Sequence, residues 1–257
     1  MPEWLFEAMG YVMLFLFGIV IGSFLNVWIF REPKQESLLA NSHCMQCGYK
    51  LRWYDLIPLF SYMILRGRCR KCNTKLSLQY PLVEGLNGAL YVIVFLANGW
   101  NLTSIVYCLL TSALIVVSVI DWRSKRIPNK VNYMILVLGI FATLLDLPNL
   151  RDHLIGMVCV SAVLWLIFLL SVGRAMGGGD AKLMTGAGLV IGTMPIILAF
   201  MVGCIAGSVI HTIRVAAFHA DKKLAFGPYL AFGIWFSMLF GEPIIQWYLT
   251  LCGFNLP

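Results

Sequence analysis

Two sets of residues in this chain have side chains and spacings that can do chemistry. The first is Cys44-x2-Cys47, then 21 intervening residues, then Cys69-x2-Cys72. Each Cys-x-x-Cys turn can aim two thiolates at one point. Two such turns supply the tetrahedral four-sulfur shell that Zn²⁺ takes in ribbon-like modules. A closed shell leaves no position for water, so the expected metal is structural. A redox dithiol pair is the competing reading. Arg66, Arg68, Arg70 and Lys71 crowd the second turn and favour ionised thiols. His43 adjoins Cys44 and, with four thiols available, is read as a bystander. The other four cysteines, Cys108, Cys159, Cys204 and Cys252, stand singly in apolar runs and read as small buried hydrophobes.

The second set is a pair of aspartates. Asp121 ends an apolar run in Val119-Ile120-Asp121-Trp122-Arg123, and Asp180 follows Gly177-Gly178-Gly179 and is followed by Lys182. Acidic residues beside membrane-spanning runs are costly and mark functional sites. Two carboxylates held together cannot both ionise easily, so one can take a proton from water while the other gives one to a carbonyl or leaving group. The glycines leave room beside Asp180 for an extended substrate backbone, with Lys182 at the edge of the same loop. Position alone equally allows two helix-end residues. Asp180 would then face a helix N-terminus, and Asp121 would pair with Arg123 or Lys125. Glu84, in Tyr80-Pro81-Leu82-Val83-Glu84, lies just inside another apolar run. It reads as a partner for the basic loop or as part of a second activity. Asp55 reads as a turn former, His211 and His219 as headgroup contacts near Arg214, and Asp146, Asp152 and Glu242 as solvated or interfacial.

The elements that must position these groups follow from composition. The 257 residues are 60% hydrophobic and 12% charged, against about 45–50% apolar and about 25% charged for a soluble domain. This excludes a soluble enzyme, a disordered chain and a secreted disulfide scaffold. The reading is an all-α polytopic membrane protein with about eight transmembrane helices. The candidate spans are 8–30, 82–97, 103–120, 132–147, 153–172, 182–193, 195–214 and 225–245. Thr193 to Pro195 breaks the sixth, which reads as one limb of a broken or buried helix. The first run is too long for a signal-peptide core and follows Glu3 and Glu7, so it reads as a retained helix. Gly18/Gly22, Gly188/Gly192 and Gly203/Gly207 have the spacing of close helix contacts.

With eight spans, the connections at 31–81, 121–131, 173–181 and 215–224 share one side. All 19 Lys and Arg except Arg151 lie there or on the adjoining helix ends. That asymmetry makes this side cytoplasmic. The net charge of +7 is therefore a topology signal toward a lipid bilayer, not a nucleic-acid footprint. Three segments are expected: a first helix at 1–30, a cytoplasmic zinc-ribbon-like insertion at 31–81, and a helical core at 82–257.

Taken together, these residues resemble the type IV prepilin peptidases. The resemblance runs through Gly22-Ser23-Phe24-Leu25-Asn26-Val27, the four-cysteine loop, Tyr54-Asp55-Leu56-Ile57-Pro58 and Tyr80-Pro81-Leu82-Val83-Glu84. It continues through Asp121 with Ile127-Pro128-Asn129, the Gly-x-Gly-Asp element ending at Asp180, and Phe226-Gly227-Pro228. It implies a bacterial inner-membrane aspartyl protease with Asp121 and Asp180 as its dyad. Its substrates would be prepilins or type II secretion pseudopilins, cut at the cytoplasmic face after a short basic leader. It also implies N-methylation of the new terminus by S-adenosylmethionine, an activity that nothing in the residues themselves shows. Glu84 is the candidate there. Readings from other classes are a non-catalytic assembly factor docking through its zinc loop, and a transporter using the aspartates as a proton relay.

Overall fold

The structure, a computed structural model, describes residues 3–38, 40, 42–174, 176–218 and 224–253. His219 lies outside the described residues. Nine α-helices are described: α1 (Glu3–Arg31), α2 (Phe60–Ile64), α3 (Gln79–Asn98), α4 (Leu102–Ser124), α5 (Asn129–Leu145), α6 (Leu150–Leu170), α7 (Gly178–Ile191), α8 (Thr193–Phe218) and α9 (Gly227–Leu251). No strand occurs among the described residues, only two isolated backbone bridges. Six helices (α1, α3, α4, α6, α8 and α9) are long and apolar enough to cross a bilayer. The chain is thus a helical, multi-pass membrane protein. All eight expected spans are helices, but α5 has 17 residues and α7 only 14. At 1.5 Å per residue, α7 extends about 21 Å, short of the roughly 30 Å hydrocarbon core.

The chain divides into two compact units, Met1–Leu96 and Ala97–Pro257. In the first, α1 packs on α3 through glycine. A Cβ on Gly18 would lie 2.7 Å from the Gly88 Cα, and one on Gly22 would lie 2.8 Å from the Glu84 Cα. Buried amides tie the same seam: Asn87 Nδ2 donates to the Gly18 carbonyl at 2.7 Å, and Asn26 Nδ2 to the Tyr80 carbonyl at 3.1 Å. With no water inside a bilayer, such amides must find protein partners, and here they fix the register of the two helices.

In the second unit, α7 is wrapped by α5, α6, α8 and α9, while α4 packs on α5 and α9. Ten of the 14 residues of α7 are buried, which explains why a helix too short to span is apolar on every side. It ends at Gly192, whose φ of 82° an L side chain rarely adopts. Gly188 sits directly against the Gly156 carbonyl, and Gly203 against Tyr229 and Leu230. All three glycine pairs therefore mark close helix contacts. Asp152 is not left to solvent: its Oδ2 accepts the Thr193 N–H at 3.1 Å and its carbonyl accepts the Thr193 hydroxyl at 2.8 Å, capping α8 where the chain leaves α7.

Two glycine substitutions on the α1–α3 pair should have opposite effects on thermal unfolding in detergent. Gly22→Leu should destabilise by about 1–3 kcal/mol through overpacking. Gly85→Ala, where an added Cβ meets nothing within 4 Å, should stabilise by about 0.5–1 kcal/mol. Equal effects would contradict the packing described.

Candidate functional site

The two aspartates come together at one end of the second unit. Asp121 lies in the last turn of α4, which stops because Lys125 takes a left-handed conformation (φ 52°) and its N–H closes on the Asp121 carbonyl at 2.8 Å. Pro128 then holds extended backbone, and α5 begins at Asn129. Asp180 stands in the first turn of α7, behind Gly177 at its N-cap. A carboxylate there faces the positive end of the helix dipole. Asp121 is 4% and Asp180 9% exposed. The charge of Asp121 acts on Asp180, so the two carboxylates share one electrostatic environment.

Neither expected helix-end ion pair of Asp121 forms, since no Arg or Lys bridges it among the described residues. Its Oδ2 instead accepts the Gly227 N–H at 2.9 Å. Gly227 opens α9, and a Cβ there would lie 2.8 Å from that same oxygen, so only glycine lets the backbone approach. Arg214 lies over the Trp122 ring, 4.2 Å from its centroid, rather than being committed to headgroups.

The three glycines before Asp180 do different things. A Cβ on Gly179 would lie 3.0 Å from the Ile127 Cβ, so this glycine admits the α4–α5 turn. One on Gly178 would reach the Phe168 ring at 3.4 Å. Gly177 is exposed, 3.6 Å from Asp180 Oδ2 at its Cβ position, and is the glycine that leaves the carboxylate accessible. Lys182 donates to Asn129 Oδ1 at 2.9 Å, joining α7 to α5. Asn132, which sequence reasoning passed over, is 4% exposed. Its Nδ2 donates to the Gly179 carbonyl at 3.2 Å, while its buried Oδ1 has no partner.

The first unit holds the four thiols. All four Sγ atoms lie within 4.8 Å of one another, with Cys44–Cys72 at 3.8 Å and Cys47–Cys69 at 4.0 Å. A tetrahedral site with bonds of about 2.3 Å needs sulfurs roughly 3.8 Å apart, so the set can hold a metal ion. The cradle is a repeat with a 25-residue offset. Cys44 N–H bonds the Tyr49 carbonyl as Cys69 N–H bonds that of Thr74, both at 2.9 Å. Gly48 and Asn73 both take positive φ, 65° and 56°. His43 bridges Lys50 as Arg68 bridges Lys75, so His43 is part of the frame. Hydrogen bonds from Thr74, its hydroxyl first, bring the Cys72 thiol down to about 6, which favours an ionised ligand. Arg70 is drawn off to Asp55 at 2.7 Å, and Asp55 Oδ2 accepts the Arg52 N–H, confirming its place in a turn.

Glu84 lies elsewhere in this unit. It is 6% exposed, and its Oε2 accepts the Leu59 N–H at 2.8 Å, holding a leucine at φ 59°. It borders a cavity of about 360 Å³ lined by Ser23, Phe30, Tyr80 and the Ile57–Leu59 turn. The structure thus separates Glu84 in sequence unit from the aspartates: 1–96 carries the first, 97–257 the second.

A multi-pass helical protein with a buried carboxylate pair and a four-thiol module is the class these features define. Comparison with known proteins narrows it. Residues 16–98 match the Bacterial Peptidase A24 N-terminal domain, and residues 108–212 match the Type IV leader peptidase family. A protein of Aeromonas hydrophila called prepilin leader peptidase/N-methyltransferase is 34% identical, over 96% of this chain and 95% of its own length. One of Pseudomonas aeruginosa with the same name is 34% identical over 93% of each chain. One of Neisseria gonorrhoeae is 30% identical over 91% of this chain and 92% of its own. No solved structure matches. The chain belongs to the type IV leader peptidase family.

Gly227→Ala should push the Asp121 carboxylate from its N–H partner. We expect a loss of about 1–3 kcal/mol in thermal unfolding. An unchanged unfolding curve would contradict the contact.

Proposed function

We propose that this protein is an aspartyl peptidase that removes the short basic leader of type IV prepilins or type II secretion pseudopilins and then methylates the new N-terminal amine. The observation that carries the cleavage reading is the meeting of Asp121 and Asp180, both buried, at one end of the second unit. One carboxylate takes a proton from water as that water attacks the scissile carbonyl, and the other protonates the carbonyl oxygen. Collapse of the tetrahedral intermediate breaks the C–N bond, and a proton goes to the departing amine. Gly177 leaves the approach to Asp180 open. Lys182 and Asn132 brace the loop that carries it, and the unused Asn132 Oδ1 is an acceptor for a substrate N–H or the attacking water.

The substrate's basic leader and apolar helix suit a site at the edge of a bilayer. The placement of every Lys and Arg but Arg151 supports the cytoplasmic face of the bacterial inner membrane for that edge. The four thiols take Zn²⁺, a structural ion that closes the insertion at 31–81 upon itself, while 82–257 carries the remaining helices. S-adenosylmethionine would be the methyl donor for that second activity, supplying an electrophilic methyl group on a sulfonium to the neutral form of the new N-terminal amine.

Two measurements test this reading. Wild-type protein in proteoliposomes with a prepilin should yield a product that has lost its leader and gained one methyl. Asp121→Asn and Asp180→Asn should each cut leader removal by at least about a hundredfold while still folding. Substantial cleavage by either variant would contradict the dyad. Metal analysis should find one zinc per chain, lost in Cys44→Ser. Metal-free protein with all thiols reduced would overturn the zinc.

A further inference from the structure

Between the two cysteine turns the chain runs through a segment that is built inside out. The short helical turn Trp53–Leu56 and helix α2 carry Trp53, Leu56, Ile57, Phe60, Met63 and Ile64, all exposed, with Trp53 at 77% and Ile64 at 76%. These residues recur at i, i+3, i+4 and i+7, the interval of one apolar side along a helical path. The polar groups of the same segment turn the other way. The Asp55 side chain is 2% exposed and is held by Arg70 at 2.7 Å. The Ser61 hydroxyl donates to the Asp55 carbonyl at 2.7 Å, and the Tyr62 hydroxyl to the Leu76 carbonyl at 3.4 Å. A module standing in water would turn these two sets of side chains in the opposite sense.

One hydrogen bond fixes how deep the segment sits. The Leu59 N–H, just ahead of α2, donates to Glu84 Oε2 at 2.8 Å. Glu84 is the sixth residue of α3, roughly 8 Å along the axis from the first at about 1.5 Å per residue. The 20 residues of α3 extend about 30 Å, the thickness of the hydrocarbon core, so the first residue marks its boundary. Leu59 is thereby held within the depth of about 5–10 Å to which interfacial helices bury their apolar side. Leu82 and Leu86, on either side of Glu84, are exposed at the same level of α3. Backbone groups at that depth need partners in the protein, and this segment has them. Besides Leu59, the N–H groups of Ser61 and Met63 donate to the carbonyls of Ile57 and Leu59 at 3.1 and 2.9 Å.

Charge complements the same partner. Residues 50–75 carry seven Lys and Arg and a single acidic residue, Asp55, which is already paired. Arg52 and Arg66, both exposed, bracket the apolar segment. Anionic headgroups are the complement of such a rim, and an exposed tryptophan such as Trp53 suits the headgroup level. We propose that residues 53–64 lie in the bilayer interface, with their apolar side chains among the acyl chains and the flanking cations among anionic phospholipid headgroups. The four-cysteine insertion is then a module anchored on the membrane surface, not one suspended in water.

The test uses the full-length protein in lipid nanodiscs, with the photoreactive residue p-benzoylphenylalanine in place of Phe60 or Ile64. Leu86 on α3 and Lys71 beside the second cysteine pair are the reference positions. All four are exposed, so replacement leaves the packing intact. Irradiation and mass mapping should find phospholipid adducts at 60, 64 and 86, and none at 71. Adducts from 60 and 64 onto residues 97–257, or onto a second copy of the chain, would mean that protein covers the segment and would overturn the proposal. So would lipid adducts at 86 with none at 60 and 64. With the same photoreactive residue in place of Trp53, anionic nanodiscs should give at least about twofold more lipid adduct than zwitterionic ones. Equal yields would overturn the role of the basic flanks.

Discussion

Keeping two buried carboxylates near enough for the charge of one to act on the other, inside an apolar bundle, is the constraint on which the second unit depends. Each buried charge needs donors that water would otherwise supply, and the cost rises when the two share a field. The fold meets it with backbone. The end of α4, the start of α7 and the start of α9 converge, so that a peptide N–H from Gly227 reaches Asp121 and Asp180 opens a helix. Convergence of that kind requires close approach, hence glycine at 227 and 179. Wrapping by α5, α6, α8 and α9 is what lets the 14 residues of α7 remain stable there.

The first unit meets a different demand with similar means. Among the described residues of 31–81 only Cys44 and Cys69 are buried apolar side chains, so the insertion has almost no core of its own, and the four-thiol cluster could hold a metal ion in place of one. The two knuckles are copies in backbone as well as in sequence, each with a left-handed residue just past its second cysteine. The insertion is also tied at its root, through Glu84 to Leu59 and through Asn26 to Tyr80.

Much of this was legible in the residues. Cysteine spacing shows itself because a tetrahedral shell admits few spacings. Hydropathy shows the helices, and the break at Thr193 to Pro195 marks the sixth as unusual. The Gly-Gly-Gly-Asp run announced a close approach, but not that Gly179 admits Ile127 while Gly177 alone stays open. What stayed hidden were contacts across long stretches of chain. Phe226-Gly227-Pro228 belonged to the resemblance, yet nothing local says that its N–H serves an aspartate 106 residues away. Asn132 looks like any polar residue at a helix start until its amide is found on the Gly179 carbonyl. Asp152 looked solvated because charge near a helix end usually is, and its capping of α8 is a tertiary fact.

The central claim is that two coupled carboxylates share the work of cleavage. The pH dependence of leader removal by purified protein in proteoliposomes tests it most directly. The account predicts a rate that rises and then falls with pH, governed by two ionisations that belong to the pair, with one limb abolished in each Asp→Asn variant's residual activity. A rate that stays flat from about pH 4 to about pH 9 would contradict it.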